Sequence, residues 1–161
     1  MSNITSNQIA NRTRYHQLLI KADNTGGAVD SANIGSPEVT FSGTPSSYGR
    51  ASGIVPFDYA GGTVIVNVYI YSASANNQTL NYYLANHRNG SNTSTSWNIQ
   101  SNQTTAGINL SANVMKKFTV YTIPAGTLQP GDYIALAMRP ASAVTGSIFF
   151  SACLIEYTAD S

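Results

Sequence analysis

The sequence is short of charge. Its 161 residues include 8 Lys/Arg and 7 Asp/Glu, 9% in all, with a formal net charge of +1. An ordinary soluble domain carries about 25% charged residues. The shortage excludes the Lys/Arg stripe of a nucleic-acid binder, since Lys116-Lys117 is the only adjacent basic pair. Near-zero net charge also removes repulsion between copies and favours association. Cysteine is almost as scarce. Cys153 stands alone, which excludes an internal disulfide, and its apolar surroundings from Ile148 to Ile155 read as those of a buried, inert thiol. No stretch approaches the ~20 apolar residues of a membrane span. The first residues, MSNITSNQIANRTRYHQ, hold no apolar signal core. Together with the missing disulfides, this leads to an expectation of cytosolic synthesis.

Catalytic and metal-binding signatures are missing as well. There is no Gly-x-Ser-x-Gly elbow, phosphate-binding loop or paired acidic motif. His87 falls at an expected turn and His16 on an expected first strand facing solvent, so neither reads as an acid–base group. Two histidines about 70 residues apart and one cysteine do not make zinc spacing. Asp23-Asn24-Thr25-Gly26-Gly27 with Asp30 offers oxygen ligands but not the regular acidic spacing of a calcium loop, and reads as a surface loop. The expectation is a protein that is not an enzyme and needs no cofactor or metal. Seven Asn-x-Ser/Thr sequons follow from composition alone, because Ser, Thr, Asn and Gln make up more than a third of the chain.

What is present is a pattern of strands and turns. In Thr63–Tyr71, Val64, Val66, Val68 and Ile70 fall on one face, and Thr63, Ile65, Asn67, Tyr69 and Tyr71 on the other. Gln78–Asn86 places Leu80, Tyr82 and Leu84 inward, and Asn89-Gly90 is a favoured hairpin dipeptide. Thr95–Gln100 carries Trp97 and Ile99 on one face, whereas Ser101–Ala112 reads as a loop. Lys117–Ile123 ends at Pro124, Asp132–Arg139 alternates Ile134, Leu136 and Met138 against Tyr133, Ala135 and Ala137, and Ser147–Thr158 is apolar on both faces. Apolarity on two sides implies a central strand or one buried against a second subunit. Arg14–Ala22, Val39–Phe41 and Ile54–Tyr59 are further candidates, the first with a helix as its alternative. About eight short strands with no amphipathic helix argue an all-β, antiparallel, jelly-roll-like β-sandwich.

Residues 1–12 form a polar arm too hydrophilic to join a core, and residues 13–161 form the single domain. Asn3, Ile4, Gln8 and Ile9 are the candidate attachment residues of that arm. Ile148, Phe150 and Leu154 are expected in the core with Thr63–Tyr71. Tyr69, Tyr71 and Tyr83 are expected on strand faces turned away from the core, with Trp97 as a fourth aromatic. Tyrosine rings beside amides suit both a subunit interface and a sugar-binding surface, and the interface reading is favoured because it needs no convergent geometry. Arg139 and Glu156 could pair between adjacent strands.

Residues 122–157 carry a further pattern. Thr122-Ile-Pro-Ala-Gly-Thr-Leu-Gln-Pro-Gly-Asp132, Tyr133 to Arg139, and Ile148-Phe-Phe through Leu-Ile-Glu-Tyr157 resemble the closing strands of jelly-roll virion proteins of tailed bacteriophages. The resemblance implies a non-enzymatic structural protein of the virion, made in the host cytoplasm. It would be a capsid decoration protein or accessory fibre, a homotrimer attached to the major capsid or tail protein. The alternative is a carbohydrate- or receptor-binding module that meets host surface glycans through Tyr69, Tyr71, Tyr83 and Trp97.

Overall fold

Twelve strands and no helix make up residues 12–23, 28–33, 36–88 and 99–159, which the computed structural model describes. They are β1 (Arg12–Ala22), β2 (Ala28–Asn33), β3 (Ser36–Ser42), β4 (Gly49–Ile54), β5 (Val64–Ser72), β6 (Asn76–Gln78), β7 (Leu80–His87), β8 (Gln100–Thr104), β9 (Ile108–Leu110), β10 (Lys116–Ile123), β11 (Tyr133–Pro140) and β12 (Ser147–Ala159). All the ladders between them are antiparallel. The architecture is the expected all-β jelly-roll-like sandwich, with more and shorter strands than the sequence pattern marks.

The two layers share one strand. Arg12–Leu18 of β1 pairs with β12, while Leu19–Ala22 pairs with β4. The first layer, sheet I, runs β10-β5-β12-β1, with β3 continuing along the β12 edge that β1 leaves and β2 beyond it. Sheet II runs β1-β4-β11-β7-β8. Between them lie Val64, Val66, Val68 and Ile70 of β5, Ile148 and Phe150 of β12, and Leu84, Ile134, Leu136 and Met138 of sheet II, all essentially without solvent contact. The layers meet closely at Gly49, where an added Cβ would lie 2.9 Å from Phe41 and 3.2 Å from Phe150, so a side chain there would push the sheets apart.

Several expectations are corrected. Ser101–Ala112 is not a plain loop, because β8 and β9 lie within or across it, and β9 zips to β6. Strands of three to five residues leave too little alternation to be recognised, and β8 is polar throughout. Gln78–Asn86 is interrupted at Thr79, and the strand expected over Ile54–Tyr59 ends at Ile54, where a turn anchored by Val55 and Asp132 begins. Leu154 is not in the core. A bulge between Phe150 and Ala152 shifts the phase of β12, so Cys153, Ile155 and Tyr157 turn inward and Leu154 and Glu156 outward. His16 does not face solvent freely. It shares the phase of inward-facing Leu18 and lies half-buried near Gly53. The arm residues Asn3, Ile4, Gln8 and Ile9, the hairpin at Asn89-Gly90, and Trp97 lie outside the described residues.

Candidate functional site

Sheet II has an outer face whose rows are set by register. Tyr133 of β11 lies opposite Ile54 of β4 and His87 of β7, giving a row of bulky side chains. Two residues along β11, Ala135 lies opposite Ser52 and Ala85, and Ser52 is itself opposite Leu19 of β1. The third row is Lys21, Arg50, Ala137 and Tyr83. Ala85 and Ala137 are buried yet do not belong to the core cluster, so they form the floor of this outer face. A low row of small side chains therefore runs between taller rows across three strands, β4, β11 and β7, roughly 10 Å, with Leu19 of β1 standing at its end.

The taller rows present aromatic rings. Tyr133 is 40% exposed, and its ring lies 6.3 Å from that of His87. His87 is thus the last residue of β7 and a ring neighbour of Tyr133, not a solvated turn residue as expected. Tyr83 meets Tyr48 edge-on at 5.4 Å. Desolvation raises the Tyr48 phenol above its ordinary range, and its hydrogen bond with Tyr83 adds to the rise. Leu19, Ile54 and Phe57 leave further apolar surface at the same end of the face, Phe57 at 83% exposure. Phe57 packs over Gly131, where an added Cβ would lie 3.1 Å from its ring.

Buried polar groups hold this end in place. Asp132 accepts from the Gln129 amide and from Asn86 Nδ2, and lies 3.8 Å from Arg88 Nε. It ties the turn before β11 to the end of β7, directly beneath Tyr133 and His87 in sequence. At the other end, Arg50 donates twice to Asp23, whose carboxyl is held below its ordinary pKa chiefly by that bond. Arg139 stacks 4.8 Å over the Tyr48 ring and donates to the Ser46 carbonyl at 2.6 Å.

Sheet I presents a different outer face. Tyr71 stacks on Phe149 at 4.5 Å and donates to Glu38, which also accepts from Ser151. Asn67, although on the outer face, is 1% exposed. It accepts from Thr119 and donates to Glu156, which pairs with Lys117 at 3.5 Å. Lys117 also lies 5.8 Å over the ring of Tyr15. Glu156 therefore does not pair with Arg139, which sits on the other sheet. Of the tyrosines marked in the sequence, Tyr69 and Tyr71 lie on sheet I and Tyr83 on sheet II, so the fold does not bring them together. Tyr48 and Tyr133 were missed. Tyr133 is legible from its alternation with Ile134, but Tyr48 stands in a loop and only the fold brings it to Tyr83.

Cys153 is fully buried, and desolvation pushes its thiol up to about 12. Among the described residues, no three His, Cys, Asp or Glu side chains are grouped to hold a metal ion.

The fold and this face define a β-sandwich of the jelly-roll type with a ring-bearing sheet surface. Solved carbohydrate-binding modules share that fold. The xylan-binding module CBM15 superposes with a TM-score of 0.54 at 10% identity, covering 94% of this chain and 99% of its own. The CBM36-1 domain of a multidomain xylanase from the hindgut metagenome of Trinervitermes trinervoides gives 0.51 at 12% identity, over 93% and 100%. The CBM22-2 xylan-binding domain of Paenibacillus barcinonensis Xyn10C gives 0.51 at 15% identity, over 86% and 91%. No family model and no curated protein matches the sequence.

These neighbours overturn the resemblance to phage virion proteins, and with it the capsid-decoration or fibre role, the virion location and the phage partners. The homotrimer expectation has no support from them either. The physical reason lies in residues 122–157, whose pattern is what a glycine-bearing connection from β10 on sheet I to β11 on sheet II requires. Gly126 and Gly131 adopt φ of +77° and +82°, and the Asp132 carboxylate accepts from the Gln129 amide to close the turn. The motif reports a turn and not a lineage.

Proposed function

We propose that the protein is a non-catalytic carbohydrate-binding module, the alternative reading of the sequence, and that it docks a glycan across the outer face of sheet II. The observation that carries this reading is the row Ser52, Ala135 and Ala85 beside the exposed ring of Tyr133. Small side chains let a sugar approach the sheet, and a ring face supplies the flat apolar contact that sugar C–H groups meet. Mounting the ring on β11, with Asp132 and Asn86 bonded below it, preorganises the surface and lowers the ordering cost of binding. The fold shared with xylan-binding modules is in keeping with this reading and makes xylan a natural first probe.

Calorimetric titration with soluble xylan and a panel of other plant and bacterial polysaccharides tests it. Binding to at least one polymer is expected, and Tyr133→Ala should weaken it about tenfold, the loss of one exposed ring anchor. Silence across the panel, or a Tyr133→Ala variant that binds as well as the parent, would sink the reading.

A further inference from the structure

The outer face of sheet II carries unbalanced positive charge at one end. Lys21 lies directly opposite Arg50 across the β1–β4 ladder, and Arg139 lies two residues beyond Ala137, the partner of Arg50 on β11. Like charges placed opposite one another destabilise a sheet. Asp23 relieves one of the three by pairing with Arg50 at 2.7 Å. The other carboxylates among the described side chains are engaged elsewhere. Asp58 pairs with Arg14, Asp132 lies against Arg88, Glu156 pairs with Lys117, and Glu38 accepts from Tyr71 and Ser151 on sheet I. Lys21 and Arg139 thus have no carboxylate partner among the described residues, and both stand on this one face of a chain that holds only 15 charged residues.

Arg139 is also the more ordered of the two. Its guanidinium is fixed against the Tyr48 ring and by the bond from Nη1 to the Ser46 carbonyl. Its buried Nε has no hydrogen-bond partner, and Nη2 has no acceptor among the described residues. A guanidinium held by stacking, with Nη2 left as a free donor, can receive one oxygen of a carboxylate in a charge-assisted hydrogen bond.

We propose that the ligand of this face is an acidic glycan, with Arg139 receiving a uronate carboxylate and Lys21 adding to the attraction. This rests on the glycan-binding reading above and names the substrate class of the same face. Arg139 lies two rows from Ala135, roughly 14 Å along β11. The carboxylate can come from a side branch of the bound polymer or from its main chain, and the same group serves both.

The test uses two polymers, a glucuronate-branched xylan and polygalacturonate, each alongside the same polymer with its carboxylates reduced to primary alcohols. Titrating the full chain, we expect the acidic form of at least one polymer to bind about tenfold more tightly than its reduced form. A gap for the branched xylan alone assigns the carboxylate to a branch, and a gap for polygalacturonate assigns it to a main chain. Arg139→Gln should close the gap and Lys21→Gln should narrow it. Should Arg139→Gln fail to fold by its thermal melt, Lys21→Gln carries the test. Equal affinity for acidic and reduced forms overturns the acidic-glycan proposal while leaving the glycan reading intact. A gap that survives Arg139→Gln overturns the role of Arg139. No binding to any of the four polymers overturns the acidic-glycan proposal, and the reading beneath it falls only when the wider polysaccharide panel is silent as well.

Discussion

The two outer faces of the sandwich use the same residue types for opposite ends. On sheet I, polar and aromatic groups satisfy one another: Asn67 is bonded to Thr119 and Glu156, Glu156 to Lys117, and Tyr71 is stacked on Phe149 and bonded to Glu38. That face is closed at its centre, where Asn67 lies buried although it points away from the core, while Tyr15 at its β1 side stays 59% exposed. On sheet II, Ser52, Ala85 and Ala135 leave the sheet low, the Tyr133 ring remains exposed, and Arg139 retains unmatched donors. A tyrosine on an outward strand face is therefore not yet a binding residue. It becomes one only where its neighbours are too small, or too few, to cover it.

The largest expected effect comes from erasing that difference. Ala135→Trp fills the low row of sheet II and should reduce glycan binding to background in a titration, whereas Ala152→Trp on sheet I should leave it unchanged. Equal loss in both variants would mean that the faces do not differ in the way described. Asn67→Ala probes the closed face from the other side. It removes a buried hydrogen-bonded amide and should cost about 1–3 kcal/mol in urea or thermal unfolding, with glycan affinity untouched. Affinity lost in step with stability would place binding on sheet I.

The smallest effect concerns Asp23 and Arg50. The folded carboxyl titrates below its ordinary value of 3.8, so the pair stabilises the fold at neutral pH. That contribution is retained above the unfolded pKa and is lost as pH falls through the lower, folded pKa. The pair is half in solvent, so the difference between parent and Asp23→Asn should be under about 1 kcal/mol at pH 7. The stabilities of the two proteins should converge once pH falls below the folded pKa of Asp23. A difference that grows on acidification would contradict the assigned direction.

Much of the fold is legible in the residues, since β5, β7, β10, β11 and β12 all show the period-2 alternation that marks them. The limits are local. The bulge in β12 exchanges the faces of Leu154 and Cys153, and no apolar pattern signals it, because both residues are apolar and either phase looks buried. β8 is too polar, and β9 too short, to register. For the site, the sequence marks Tyr83 and shows Tyr133 alternating with Ile134, but it has no means of separating Tyr83 from Tyr69 and Tyr71.

The amino-acid sequence by itself determined the class of architecture and the absence of disulfides, because alternation and cysteine count are local properties of the chain. It also determined the low charge against which two unmatched cations on one face stand out. Only the tertiary structure decided which side chains share a face. It set Tyr48 against Tyr83 and Arg139, put Glu156 with Lys117, and left Ser52, Ala135 and Ala85 in one row. Those neighbours come from ladders between strands distant in sequence, and register across a ladder is set by how the whole sandwich packs rather than by any one segment.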